Sequence, residues 1–476
     1  MHFATRCQTL AQSRSTNPAL LRVSICAAGL FVWTLLCSYT LGDSKGEPLS
    51  KPARVKVVVE AQGDLTLAAE KEGQPDPKPV PMQVIANLTY DEVSVSTDSS
   101  ARTARYYHEA KAQLSVAKRP IENRLRADRR YVFCDSTDGK TSIYSSTGAL
   151  SRNELELLTV PANSMVIDQL LPVDLRSDSE PKQGHKWTQE AGTVAALLNL
   201  HAVTTSDVSS VIAEADDKLV RMRIAGQVSG SVDGVITELE IKGKYNFDRE
   251  AKRITWLAMT IKETRAVGPT TPGFTVEARV RVAIEPAIDS TFTDQTVETS
   301  VVGSQAGLQV LELEPQDSTF AITLGRNWHL LSESPHVAVI RMVSNGQTVA
   351  QCNLRELPTT GQAKPVTLDS FKLDAMKGLT DASPQILSAT ESTNPSGLKV
   401  YRVQVAGTVG NAAVQWIYHL AIGEDGRGVS YVFTMAADQA EQFGAADHEI
   451  TSSLRFRETT KEDVRMVELD VEALKR

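Results

Sequence analysis

The feature that most limits what this chain can become is a two-residue period in its polarity, held over three successive segments between Val235 and Ile284. In Val235 to Phe247 the odd positions read Val, Thr, Leu, Ile, Gly, Tyr and Phe, whereas the even positions from Glu238 read Glu, Glu, Lys, Lys and Asn. Alternate side chains of a strand point to opposite faces, so such a segment buries one face and wets the other. After the polar turn DREAKR, the run ITWLAMTI continues from Ile254 to Ile261. Beyond the loop RAVGPTTPG, Phe274 to Ile284 alternates Phe, Val, Ala, Val, Val and Ile against Thr, Glu, Arg, Arg and Ala. Three such segments in sequence predict an antiparallel meander. Upstream, LVRMRIAG sets Val220, Met222 and Ile224 opposite Arg221 and Arg223, and VKVVVEA and RYYHEAKAQLSV supply earlier strands. Residues 50–288 therefore predict one large, curved antiparallel sheet, with Gly226, Gly230 and Gly234 at a strand end and turn.

An apolar sheet face needs a cover, and only short helical patterns lie between the strands. Ser151 and Glu154 have capping-box spacing before LELL, Asn163 precedes MVIDQLL, and Val194 to Leu200 forms a third run after Trp187. Short helices on one sheet face define an α+β fold. The combination resembles, by pattern, the half-barrel of bacterial lipoprotein carriers and related envelope proteins. That resemblance implies a concave apolar surface for a lipid or a partner segment. The residues favour a concavity filled by the chain's own helices.

Residues 289–309 contain no Lys or Arg, are rich in Ser, Thr and Asp, and read as a linker. The segment 310–458 then has its own order of elements. FAITLGRNWHL alternates Phe320, Ile322 and Leu324 before Trp328, and VAVIRMVSNGQTVAQCNL reads as a hairpin turning at Asn345 and Gly346. LDSFKLDAMKGL signals a helix capped by Asp369, with Phe371, Ala375 and Leu379 on one stripe. Three strands follow, with Tyr401, Val403 and Val405 inward on the first and Val414, Trp416, Tyr418, Leu420 and Ile422 inward on the second. Gln415, Ile417 and His419 form the opposite, mixed face, and a single last helix reaches His448 and Ile450. This order resembles the PsbP-like fold of the photosystem II extrinsic protein and its Ran-binding relatives. The resemblance is carried by Phe320, Ile322, Trp328, Cys352, Trp416, Tyr418, Phe443, Ile450, Leu454 and Phe456. It implies a small αβα domain used as an interaction module, and no catalytic residues. Because a large sheet domain precedes it, neither a photosystem nor a Ran partnership follows.

Residues 1–22 carry Arg6, Arg14 and Arg22 and no acid, and precede the uninterrupted apolar run Val23 to Leu41. Residues 1–42 thus read as a signal peptide, or as a membrane anchor if uncleaved, and the body is expected outside the cytoplasm. Removal after Gly42 takes the formal charge from -8 to -11 by deleting those three arginines. An acidic body offers no basic footprint for nucleic acid. Only Cys134 and Cys352 then remain, in different segments, and read as buried free thiols. Val464, Val467, Val471 and Leu474 give the tail 459–476 a charged helical pattern.

No catalytic, cofactor-binding or metal-ligating residue is assigned. The histidines at 108, 185, 201, 329, 336, 419 and 448 never adopt a spacing that places two ligands on one helix face. His329 and His336 form the nearest pair and read as part of a solvated loop. Asp216-Asp217 and Glu424-Asp425 sit where hairpin turns favour Asp. The leading expectation is an exported, non-catalytic interaction or scaffold protein of the envelope, whose partner is another envelope protein or a lipid. A carrier of an apolar ligand and a hydrolase with a dispersed site are the alternatives.

Overall fold

The computed structural model describes residues 51–67, 78–97, 100–137, 140–172, 175, 180–292, 309–358 and 366–457. The expected leader (1–42), residues 293–308 of the expected linker and the expected tail (459–476) lie outside them.

The fold is α+β and dominated by antiparallel strands. The first half supplies β1 (Ala53–Thr66), β2 (Val80–Thr97), β3 (Ser100–Val116), β4 (Arg119–Arg124), β5 (Tyr131–Thr137), β6 (Lys140–Ser145) and β7 (Leu150–Ser151). It continues with β8 (Lys186–Thr188), β9 (Ala202–Ser206), β10 (Ser209–Ala215), β11 (Leu219–Val232), β12 (Val235–Asp248), β13 (Arg253–Arg265) and β14 (Gly273–Pro286). Thirteen of these, all but β7, form one sheet in the order β6-β5-β3-β2-β1-β14-β13-β12-β11-β10-β8, with β4 on β3 and β9 on β11.

The two-residue period explains the long central strands directly. In β12, Val235, Thr237, Leu239, Ile241, Tyr245 and Phe247 are buried, while Ile236, Glu238, Lys242 and Lys244 are exposed. In β13 both Ile254 and Leu257 reach the core, although they differ in parity. A bulge makes this possible: the register steps from Asn246 against Trp256 to Phe247 against Ile254, which leaves Thr255 as the extra residue. Gly226 and Gly230 lie inside β11, not at a strand end as the sequence suggested. Both β9 and β10 pair with the same edge of β11, and the chain crosses between them at Asp207 and Val208. A Cβ on Gly226 would stand 2.5 Å from the Val208 Cα, so only glycine admits the crossing.

One face of this sheet is covered by α1 (Arg152–Leu158), α2 (Ser164–Ile167) and α3 (Ala191–Leu198). The Ser151 and Glu154 capping box is present: Ser151 Oγ accepts from the Glu154 amide at 3.2 Å, and Glu154 Oε2 accepts from the Ser151 amide at 2.8 Å. Asn163 caps α2 by accepting from the Met165 amide at 3.1 Å. Ile167, Leu170, Val194 and Leu197, at 0% exposure, join Val57, Ile241, Leu257 and Val282 of the sheet in one continuous apolar cluster. Each such side chain withdraws from water at a gain of about 2 kcal/mol.

The second half supplies β15 (Leu311–Leu313), β16 (Phe320–Leu324), β17 (Trp328–Ser334), β18 (Val337–Ser344), β19 (Gln347–Leu357), β20 (Gln385–Thr393), β21 (Lys399–Val409), β22 (Ala412–Ile422), β23 (Gly428–Ala436) and β24 (Arg455–Phe456). Its helices are α4 (Leu368–Lys377), α5 (Ala440–Phe443) and α6 (Ala446–Ser453). Seven strands form a sheet in the order β17-β18-β19-β23-β22-β21-β20. The β18–β19 hairpin turns at Asn345 and Gly346, with φ of +51° and +76°. Phe371, Ala375 and Leu379 of the α4 region pack with Tyr401, Val403, Val405 and Trp416 on one side.

Three expectations are corrected here. Thr367, not Asp369, caps α4, with its hydroxyl accepting from the Ser370 amide at 3.2 Å; Asp369 lies in the first turn and pairs with Lys372 at 2.6 Å. The last helix is two, because Gly444, at φ +57°, breaks the run between α5 and α6. The third is the face of β22 that carries Gln415, Ile417 and His419, which its mixed polarity marks as the exposed side and which is instead largely buried. Ile417, His419 and Ala421 are buried, since Trp328, Phe443, Ile450 and Leu454 arrive from distant parts of the chain to form a second core on that side.

The two sheets meet along a polar seam. β15 pairs antiparallel with β16 and parallel with β7, so a four-stranded ribbon, β24-β16-β15-β7, joins the halves. Glu312 of β15 is gripped by Arg126 Nη1 at 2.8 Å, by Arg129 at 3.7 Å and by Arg455. Burial pushes the Glu312 carboxyl up, but the Arg126 and Arg455 hydrogen bonds outweigh it and hold it below the usual carboxylate range. Arg152 donates to the carbonyls of Arg326 and Trp328 at 2.5 and 2.7 Å.

Candidate functional site

The face of the large sheet opposite α1, α2 and α3 carries the even-numbered side chains of β12 and their cross-strand neighbours. The registers line these up in rows. One row runs from Gln227 through Glu240 and Lys262 to Glu277, and the next from Lys242 through Thr260 and Arg279 to Glu60. A third runs from Arg223 through Lys244, Ala258 and Arg281 to Val58.

The charges on this face are sorted along the strands. β12 reads Glu238, Glu240, Lys242, Lys244 and β14 reads Glu277, Arg279, Arg281 and then Glu285 in the same direction, while the antiparallel β1 reads Arg54 and Lys56, then Glu60 and Asp64, with Lys56 reaching Glu285 at 2.5 Å. One end of the face is thus acidic and the other basic. The acidic end holds a solvent-open groove of about 700 Å³, lined by residues that include Thr205, Gln227, Glu238, Glu240, Lys262 and Glu277. Ser229 Oγ donates to Glu238 at 2.5 Å, Lys242 reaches Glu240 at 2.5 Å, and Lys262 stands 3.9 Å from the same carboxylate. The hydrogen bond from Lys242 holds the Glu240 carboxyl below its ordinary range. A groove of this chemistry accepts hydrogen-bond donors and cations. Among the described residues no group of three His, Cys, Asp or Glu is placed to hold a metal ion.

Two buried polar networks lie elsewhere. Behind the sheet, Arg105 donates to Asn163 Oδ1 at 2.5 Å and to Ser164 Oγ at 2.9 Å, while Ser164 Oγ donates to Glu92 at 2.5 Å. A cavity of about 210 Å³ bounded by Lys51, Glu92, Ser164, Asp168 and Arg253 adjoins it. In the second sheet, His419 Nε2 meets Asp447 Oδ2 at 3.0 Å, with Thr451 Oγ1 3.5 Å from His419 Nδ1. This has the connectivity of a hydroxyl, imidazole and carboxylate relay, but Thr451 already donates to the Asp447 carbonyl at 2.6 Å and His419 stacks on Tyr431. All three are buried. Burial pushes His419 down and so keeps it neutral; it pushes Asp447 up, but His419 and Arg402 outweigh it and hold that carboxyl at about 2. The network is a packed strut between β22 and α6.

The residues singled out in the sequence are scattered. His329 lies on β17, half-buried, and His336 follows at φ +61° with Nδ1 3.2 Å from Glu356. Asp216 accepts from the Lys218 and Leu219 amides and Asp425 from the Arg427 amide, as turn residues do. Cys134 and Cys352 are buried free thiols in different sheets, and burial raises both. The groove itself was overlooked, although its signal is present in the order Glu, Glu, Lys, Lys along β12.

No family model matches the chain, and no curated protein matches it. Among solved structures, cyanobacterial PsbP (CyanoP) from Synechocystis sp. PCC 6803 is similar at 13% identity over 33% of this chain and 98% of that one, with a TM-score of 0.27. A protein of Bacteroides thetaiotaomicron VPI-5482 is similar at 9% identity over 31% of this chain and 48% of that one, with a TM-score of 0.23. Lipovitellin is similar at 10% identity over 51% of this chain and 26% of that one, with a TM-score of 0.25. These are weak likenesses of β-rich structure.

Proposed function

We propose that this protein is an exported, non-catalytic interaction module of the cell envelope that receives a cationic segment of a protein partner in the acidic groove of its large sheet. The observation that carries the reading is the groove of about 700 Å³, in which Glu238, Glu240 and Glu277 surround Lys262. Complementary charge steers encounter and sets register, which suits a recognition surface better than a reaction centre. The continuous core beneath the other face supports this reading over a carrier of apolar ligands, because Ile167, Leu170 and Leu197 already occupy the space under the helices. The burial of His419, Asp447 and Thr451 supports it over a hydrolase.

The test is fluorescence anisotropy of the full chain in detergent with a synthetic peptide of alternating Lys and Thr. Binding is expected to weaken by about tenfold or more in a Glu238→Lys, Glu240→Lys, Glu277→Lys variant, and an acidic peptide of the same length is expected not to bind. Equal affinity of wild type and variant for the basic peptide would refute the proposal.

A further inference from the structure

The basic end of the same face lies beyond the groove, and the function proposed above makes no use of it. Arg223 of β11 stands directly opposite Lys244 of β12, an arrangement that costs stability wherever no anion intervenes. Lys242, Arg279 and Arg281 adjoin them, each beside one carboxylate, Glu240, Glu277 and Glu60 in turn, so that five cations meet three acids. Glu60 is taken by Arg281 at 2.6 Å. Arg223 and Lys244 have no ion pair among the described residues. From β11 to β14 the band spans three strand spacings, about 14 Å.

Two exposed apolar residues mark the same end. Trp256 sits next to Ala283 and Lys56 in the register and is 37% exposed. Ile288 is 98% exposed, beside the point where the Ala287 amide donates to the Pro52 carbonyl at 3.0 Å. That point is where the chain enters β1, and only eleven residues, 42–52, separate the apolar run Val23 to Leu41 from Ala53. Eleven extended residues reach at most about 40 Å.

We infer that the basic end of the sheet face is a docking surface for an anionic lipid bilayer, with Trp256 and Ile288 entering the headgroup region and the cations meeting lipid phosphates. Three separate features favour a bilayer over a soluble polyanion: the short tether from an apolar run, an indole amid lysines and arginines, and a bare isoleucine where the tether arrives. The β11–β12 and β13–β14 turns, at the acidic end, are the ones that touch the second sheet, through Gly234 against Gly346 and Arg341 donating to the Pro269 carbonyl at 2.6 Å.

The test places the full chain with nanodiscs whose lipids carry brominated acyl chains, either phosphatidylcholine alone or phosphatidylcholine mixed with phosphatidylglycerol. The Trp256 emission is isolated as the difference between wild type and Trp256→Phe. It is expected to be quenched in the anionic discs only, with quenching lost at about 1 M salt, where the Debye length is near 3 Å. The variant Arg223→Glu, Lys244→Glu, Arg279→Glu is expected to lose the quenching while keeping the wild-type circular dichroism melt. Should the variant unfold, the salt titration of the wild type decides alone. Equal quenching in both lipids, or none in either, would overturn the inference, as would tight binding to heparin with no lipid contact. The Lys and Thr peptide still binds if this inference fails, because it uses Glu238, Glu240 and Glu277.

Discussion

Gly234 and Gly346 stand tip to tip: a Cβ built on Gly234 would lie 2.5 Å from the Gly346 nitrogen. Each is the second residue of a two-residue hairpin turn, after Asp233 and Asn345, and each has a φ near +77°. The two hairpins, one from each sheet, can approach this closely only because neither tip carries a side chain. Gly234→Ala should therefore cost about 2 kcal/mol through backbone strain and the clash. Urea unfolding of the full chain measures it, and an unchanged midpoint would show that the tips are free to part.

Trp328 and Trp416 lie on opposite sides of the second sheet, one among Phe433 and Phe443, the other among Tyr401 and Leu420. Truncating either to Ala should cost about 3 to 5 kcal/mol. Since they share no cluster, the double variant should lose the sum of the two within about 0.5 kcal/mol. Strong coupling in a double-mutant cycle would mean that the two cores communicate through the strands.

The His419 and Asp447 pair makes stability depend on pH in a calculable direction. The folded Asp447 carboxyl, held at about 2, stays ionised where the unfolded one is protonated. Its contribution, about 2 kcal/mol, is present above the unfolded value near 4 and is lost as pH falls from there toward 2. His419 is pushed down in the folded chain, so it too favours the unfolded state as pH drops below the ordinary imidazole value. Thermal melts should show declining stability in both windows, and His419→Gln should narrow the upper one, to which half-buried His329, also pushed down by burial, contributes. A melting temperature that rises on acidification from neutral would contradict the assignment of a neutral imidazole.

Glu312 joins three guanidinium groups, two from residues 126–129 and one from β24, and its side chain is 7% exposed. Glu312→Gln should leave Arg126 paired with Glu154 and Arg129 with Asp128, and should cost about 1 kcal/mol, because Arg126 and Arg455 are 36% and 43% exposed and water screens what they lose. Hydrogen exchange should rise first at β15 and β24. Uniform exchange across both sheets would indicate that the seam contributes nothing local.

Local rules were readable in the sequence wherever the deciding contact is local. The alternation of β12, the Ser151 and Glu154 capping box and the Asn345-Gly346 turn all involve residues a few positions apart, and each is found as expected. The sequence points to Asp369 as the cap of α4, whereas Thr367 fills that place, because only the backbone geometry shows which side chain meets a helical amide. The burial of His419 could not be seen, since its cover comes from Trp328 and from α5 and α6, elsewhere in the chain. Gly226 looked like a strand end because the β9–β10 crossing that requires it is a relation among three strands. The groove was half legible: the order of charges along β12 and β14 is local, but the alignment of the two needs the registers through β13.

The place of β1 in the sheet sets the order in which the chain can fold. It sits between β2, its neighbour in sequence, and β14, its last companion, and the Lys56 to Glu285 pair spans 229 residues. Local hairpins such as β11–β12 and β12–β13 can close as soon as they are made, whereas the β1–β14 ladder must wait for the whole segment and carries the loop-closure entropy of its length. The two blocks of hairpins on either side are thus assembled before they are joined. Export of the unfolded chain, as proposed above, would gain from this delay, because the sheet cannot lock until Pro286 has followed Ala53 to the same side.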